Sequence, residues 1–261
     1  MSLKLLKGRQ RKPRRVLIYG VPGVGKSTLA ASIANAIMLP TEEGANDLDI
    51  DKFETARSLV DCYEALSEVR KLDYGTLVID TMDWLEKLIW AKVAANAGKD
   101  SIGEIAYGKG YELARDEMKR FLELLDQIRN DKTMAIVLLA HAHQVRHDPP
   151  DSDAYERWEP RLDKRSVGQV TEWCDEVMFA NFVVKTRSVD TGFSKKKKAL
   201  AIDKRCLYCT GIPTHLAKNR IGLPDEMPLS WPAYADAVES FYDGTAQPIE
   251  TTKTDEADDV F

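Results

Sequence analysis

The 261-residue chain has no apolar run long enough to cross a membrane, and its N-terminus lacks the apolar core of a signal peptide. Both absences lead to the expectation of a cytoplasmic protein with no membrane partner. Cysteine is scarce, and its four unevenly spaced residues form no disulfide framework, which suggests a reducing compartment. Cys206 and Cys209 with His215 lack the second pair that would complete four zinc ligands, so they read as structural strand residues. No internal repeat is present. A large excess of either charge is also missing: 37 Lys and Arg stand against 42 Asp and Glu, a net charge of −5, which argues against a uniformly DNA-coating protein. The local absences matter more. Residues 1–18 carry Lys4, Lys7, Arg9, Arg11, Lys12, Arg14 and Arg15 without one acid. After Glu250, Lys253 alone faces Asp255, Glu256, Asp258 and Asp259. Such asymmetry suggests a nucleic-acid-facing end and an acidic tail, with Asp258 to Phe261 able to dock on a basic groove or recruit a partner.

What is present centres on Arg14 to Thr28. Val16 to Tyr19 is long enough for one buried strand, and it runs into Gly20, Val21, Pro22, Gly23, Val24, Gly25, Lys26, Ser27 and Thr28. This is G-x-x-x-x-G-K-[ST], a phosphate-binding P-loop, and TLAASIANAI after it reads as a helix. Glycines let backbone N–H groups close around phosphate oxygens, and a helix N-terminus adds partial positive charge. Lys26 would reach the β- and γ-phosphates of ATP, and the Ser27 hydroxyl would ligate Mg²⁺.

Further along, Ala36–Leu39, Thr76–Asp80 and Ala135–Ala140 read as strands, as do Val177–Lys185 and Ala199–Ile202 around a Lys195–Lys198 hairpin tip. Helical spacing covers 53–70, the stretch from Trp84, 111–128 and 231–242. Gly98–Gly110 and His143–Lys164 read as loops, the second long enough to be functional or disordered. Alternation of strands and helices predicts an α/β fold with an open, mostly parallel sheet flanked by helices. The expected organisation is a basic arm (1–13), an ATPase domain (14–243) and an acidic disordered tail (244–261).

Asp80 ends a buried apolar strand, where a P-loop protein holds Mg²⁺ through water. Asp83 is available as the N-cap of the helix that follows. Thr41-Glu42-Glu43-Gly44 follows the second strand, and a carboxylate there could polarise water for attack on the γ-phosphate.

The order of these segments resembles the RecA-like recombinase core. More closely it is similar to phage single-strand annealing ATPases built on that core, through TEEG, VIDTMDWLE, YGKGY, LLAH, YERWEPRLDKR, VTEWCDEVMFAN and AKNRIGLP. The resemblance covers about residues 14–225. It implies a RecA-like P-loop NTPase core with C-terminal antiparallel strands, and a catalytic glutamate at Glu42 or Glu43, with Glu42 preferred. It implies a γ-phosphate sensor at His141, with His143 and Gln144 as rivals. Two DNA-facing loops follow, one with Lys99, Tyr107 and Lys109, the other with Arg146, Tyr155, Arg157, Trp158, Arg161, Lys164 and Arg165. Interleaved cations and rings suit single strands, since cations track phosphates and rings stack on bases. Lys218 and Arg220 resemble the Lys-x-Arg finger of hexameric RecA-like helicases, which acts on the neighbouring subunit's ATP. The implied function is an Mg²⁺-dependent ATPase, stimulated by single-stranded DNA, that promotes annealing or strand exchange in phage recombination. It would be a homo-oligomer, ring or filament, in the host cytoplasm, with a single-strand binding protein as a further partner. A P-loop kinase for a small metabolite, or a DNA-binding module using ATP structurally, are the alternatives.

Overall fold

Val16 to Tyr19 is apolar at every position, so a strand there has to be covered on both faces. The computed structural model describes residues 5–190 and 195–245. In it β1 (Arg15–Gly20) lies in the middle of a sheet, parallel to β5 (Ala135–His147) on one side and β7 (Glu176–Asp190) on the other. Beyond β5 come β4 (Thr76–Asp80), β2 (Ala36–Pro40) and the two-residue β3 (Asp51–Lys52), all parallel. Beyond β7 come the antiparallel β8 (Lys195–Tyr208) and β9 (Glu226–Pro228). This is the expected α/β architecture, a mostly parallel sheet flanked by helices with antiparallel C-terminal strands.

The period-two pattern sorts the strand side chains onto two cores. Leu17, Tyr19, Ile79, Leu138 and Phe179 face α2 (Leu59–Val69), α3 (Met82–Asn96), α4 (Lys109–Lys132) and α5 (Lys164–Trp173). Val16, Ile18, Val78, Leu139 and Met178 face α1 (Lys26–Ala31) and α6 (Trp231–Tyr242).

Several local expectations are corrected. The P-loop helix stops at Ala31, not Ile37, because the Ser32 hydroxyl donates to the Leu29 carbonyl (2.7 Å) and Asn35 turns left-handed (φ 54°) into β2. The helix in 53–70 begins only at Leu59, where Ser58 and Asp61 form a reciprocal capping box. Gly98–Gly110 holds two short 3₁₀ turns, Ile102–Glu104 and Ala106–Gly108, before α4 begins at Lys109. The supposed long loop from His143 is a β-hairpin: β5 continues to His147 and pairs antiparallel with β6 (Tyr155–Pro160). Its alternation of cations and acids hides strand propensity from a hydropathy reading. Lys195–Lys198 lies within β8, opposite Arg187–Asp190, and is not a tip.

The described part of the basic arm lies on α6. Arg9 donates to the Phe241 carbonyl (2.8 Å) with its guanidinium 4.3 Å over the Phe241 ring, and Arg11 pairs with Glu239. Most of the acidic tail (246–261) lies outside the described residues.

Candidate nucleotide-binding site

Left-handed backbone shapes the loop between β1 and α1. Gly23 (φ +76°) and Gly25 (φ +99°) hold conformations that a side chain would strain. At Gly20 the limit is space, since a Cβ there would lie 2.3 Å from the Ala180 carbonyl oxygen on β7. With six residues α1 has a small macrodipole, so the anion site rests on loop N–H groups and on Lys26. The Lys26 ammonium is buried and donates to the Gly20 (3.1 Å) and Val21 (3.3 Å) carbonyls. Burial pulls its pKa below the ordinary lysine value, against the opposing pull of Asp80, Asp83 and Glu42.

Strand register brings the other groups to the same edge. Pro40 lies beside Asp80, Asp80 beside Leu139, and Gly20 beside His141. Residues just past the ends of β2, β4 and the buried part of β5 therefore converge on the P-loop. Thr41 ties two of these ends, its N–H donating to the Asp80 carbonyl (2.7 Å) and its hydroxyl to the Thr81 carbonyl (2.7 Å). The result is a cavity of about 340 Å³ lined by Pro22, Gly23, Gly25, Lys26, Ser27, Thr28, Glu42, Asp80, Thr81, His141 and Arg205, among others. Ser27 and Asp80 are in contact: burial raises the Asp80 pKa, while the Ser27 hydroxyl hydrogen bond and the Lys26 charge oppose the rise. Two hard oxygen donors beside a phosphate loop fit Mg²⁺, which would neutralise developing phosphate charge when bound.

Of the Thr-Glu-Glu-Gly carboxylates, Glu42 lines the cavity, while Glu43 is exposed and outside its lining. Glu42 Oε1 accepts from the Thr81 hydroxyl (3.2 Å) and lies 3.8 Å from His141 Nε2. Burial raises its pKa, with His141 opposing and Asp83 and Asp80 reinforcing. Behind His141, Asp83 accepts from the His141 N–H (3.0 Å), faces its Nδ1 (3.1 Å) and accepts from Arg161 Nη2 (2.6 Å). Burial alone would raise the Asp83 pKa, but these partners hold it well below the usual carboxylate range. Asp83 is thus not the helix cap expected of it; Thr81 is the N-cap of α3, without a side-chain cap bond. His143 and Gln144 lie farther along β5, opposite Glu159 and Trp158, and neither lines the cavity.

The residues expected to face DNA divide into two groups. Lys99, Tyr107, Lys109, Arg146 and Lys164 are exposed, and Tyr107 is fully so (105%) with a left-handed φ of 57° rare for an aromatic residue. Arg165 links the two segments, with its guanidinium 5.5 Å over the Tyr111 ring and Asp163 beside it. The others are committed elsewhere. Trp158 packs its ring on Phe179 (5.8 Å), Arg157 pairs with Glu159, and Arg161 joins the Asp83–His141 cluster. Tyr155 stacks on His147 (5.7 Å).

Lys218 and Arg220 are not brought to this chain's own P-loop. Lys218 donates to the Glu172 carbonyl (3.3 Å), and Arg220 pairs with Asp175 (3.2 Å) at the opposite edge of the sheet, where Arg15 (3.0 Å) holds the same carboxylate. Cys206 and Cys209 are buried, and burial pushes the Cys209 thiol up to about 12. His215 stacks on Phe179 (5.4 Å). Arg205 was not visible as a site residue in the sequence. It lies on β8 after the lysine run, carries no motif, and reaches the P-loop only because β8 folds back antiparallel, its Nη1 3.4 Å from the Val24 carbonyl oxygen.

Loop, lysine, hydroxyl and strand-end acid around one cavity define a P-loop nucleotide-binding protein with an ATPase fold. A family model described as an AAA domain matches residues 12–221, and the chain belongs to that AAA-domain family. Among solved structures it is similar to the RadB recombinase at 13% identity, covering 75% of this chain and 79% of that one with a TM-score of 0.43. No curated protein matches this chain. No helix among the described residues is long and apolar enough to cross a membrane.

Proposed function

We propose that this protein is an Mg²⁺-dependent ATPase that binds single-stranded DNA and promotes annealing or strand exchange, in the setting of phage recombination that its sequence resemblance implies. The observation that carries the hydrolytic reading is the convergence of Lys26, Ser27, Asp80, Glu42 and His141 on one cavity. Lys26 neutralises the β- and γ-phosphates, while Ser27 and Asp80 hold the metal. Glu42 orients the attacking water and takes its proton. A pKa raised by burial suits a base working near neutral pH better than an ordinary carboxylate would. His141 Nε2 faces Glu42 while its Nδ1 is anchored on Asp83, and Asp83 in turn holds Arg161 just past β6. A change at the γ-phosphate thereby has a physical route of side chains to the β5–β6 hairpin.

The DNA reading rests on the two basic segments meeting at Arg165 and Tyr111, with Tyr107 as the exposed ring. Arg220, 54% exposed, shares Asp175 with the far less exposed Arg15 and Arg129. It is therefore the cation most easily released to a neighbouring subunit's ATP, with Lys218 beside it, in a ring or filament.

ATP turnover, measured with and without single-stranded DNA at several salt concentrations, tests the proposal. Stimulation that fades with salt supports it. Transfer of phosphate to a small acceptor would instead make the protein a kinase, and DNA binding without turnover would make ATP a structural ligand.

A further inference from the structure

A second cavity, about 580 Å³, opens between α1 and the start of α6. It shares Gly25, Thr28 and Arg205 with the phosphate cavity, so the two lie side by side along the P-loop. Its walls differ in chemistry. The phosphate cavity is built from Lys26, Ser27 and carboxylates, whereas the second is faced by Leu29, Pro228, Leu229, Trp231 and Pro232, with Lys204 at its rim.

Trp231 is half-buried and firmly placed. It opens α6, whose N-cap Ser230 accepts from the Ala233 N–H (3.4 Å), and its indole packs against Tyr234 with ring centroids 5.0 Å apart. The Arg205 guanidinium stands between the cavities, 5.6 Å over the Phe182 ring and 3.0 Å from where a Gly25 side chain would begin. An apolar slot with an aromatic wall, joined to a phosphate cradle through one arginine, suits a ligand with a flat ring at one end and a polyphosphate at the other.

We infer that the α1–α6 cavity receives the base and ribose of the nucleoside triphosphate, with Trp231 as the stacking wall and Arg205 bridging to the phosphates nearest the sugar. The inference rests on the P-loop being the triphosphate site. Nucleotide affinity would then depend on the C-terminal helix as well as on the P-loop. The described basic arm binds the other end of that helix, Arg9 at Phe241 and Arg11 at Glu239.

Calorimetric titration with ATP and with inorganic tripolyphosphate separates the two halves of the site. Trp231→Ala should weaken ATP roughly ten-fold, in line with loss of one base–aromatic stack, and leave tripolyphosphate unchanged. Trp231→Phe should restore most of the ATP affinity. Arg205→Ala should weaken both ligands, and Lys26→Ala should abolish both. Unchanged ATP affinity in Trp231→Ala overturns the inference while the P-loop reading stands. Lys26→Ala that binds both ligands normally overturns the P-loop reading itself. Should Trp231→Ala misfold, photolabelling of the wild-type protein with 8-azido-ATP decides. Label in the 28–32, 204–205 or 228–232 peptides supports the inference, and label confined to other peptides overturns it.

Discussion

His141 presents its Nε2 to Glu42 Oε1 at 3.8 Å while Asp83 anchors its other ring nitrogen at 3.1 Å. One imidazole therefore stands between the carboxylate proposed to activate water and the carboxylate that grips Arg161 at 2.6 Å. The proposed hydrolytic site and the hairpin would thus be joined through this ring.

Glu42→Gln should keep ATP bound and stop turnover, because binding uses Lys26 and the metal whereas attack needs the carboxylate. Glu43→Gln should leave turnover near wild type, since that side chain is exposed outside the cavity. Single-turnover kinetics with labelled ATP checks both. A dead Glu43→Gln beside an active Glu42→Gln would reverse the assignment.

Asp83→Asn should cost about 1–3 kcal/mol of stability, the range for leaving buried partners poorly satisfied. Its folded pKa is depressed, so the ionised form favours the native state. That stabilisation is full above the unfolded carboxylate value of about 3.9 and is lost as pH falls below it toward the depressed folded value. Denaturant midpoints of wild type and variant measured from pH 7 down to pH 3 should stay a constant distance apart above about pH 4 and begin to draw together below it. Parallel curves would mean that Asp83 carries no differential charge.

Tyr107→Ala should weaken single-strand binding by about 1–3 kcal/mol with no loss of stability, since its ring is fully exposed. Trp158→Ala should do the reverse, costing on the order of 3 kcal/mol of stability through lost packing on Phe179. Anisotropy titrations paired with thermal melts distinguish them. A DNA defect confined to Trp158→Ala would move the stacking site to β6.

Replacing Lys109 and Arg146 together by alanine should flatten the salt dependence of binding by roughly 1.4, at about 0.7 per phosphate contact on single strands. Arg161→Ala should change the slope less, because its guanidinium is paired with Asp83, but should reduce DNA stimulation of turnover. Affinity and stimulated rate across a salt series measure both. Full stimulation in Arg161→Ala would remove it from the coupling route.

Arg220→Ala should leave ATP binding intact and lower turnover, and mixing it with Lys26→Ala should partly restore activity. Some interfaces in the mixture then pair an intact P-loop with an intact finger from the neighbour. With subunit exchange verified by labelled protein, turnover that stays absent at every ratio would leave Arg220 as a partner of Asp175 alone.

The P-loop and the strand-end Asp80 were legible in the sequence because their chemistry is local. Closely spaced glycines, a lysine and a hydroxyl form a cradle from one stretch of backbone, and an acid after three apolar residues marks the end of a buried strand. The α/β class was legible for the same reason, since periodicity is a property of neighbours along the chain. Tertiary structure decided the rest. Strand register turned Glu42 and not Glu43 into the cavity, and it set His141 against Asp83. The antiparallel return of β8 carried Arg205 to the P-loop from a segment with no motif. The β5–β6 hairpin carried Trp158 onto Phe179 and Arg161 to Asp83 from a stretch that reads as a polar loop. A charged or aromatic residue is equally at home on DNA, in an ion pair or against a core ring, and only the partner that folding delivers selects among these.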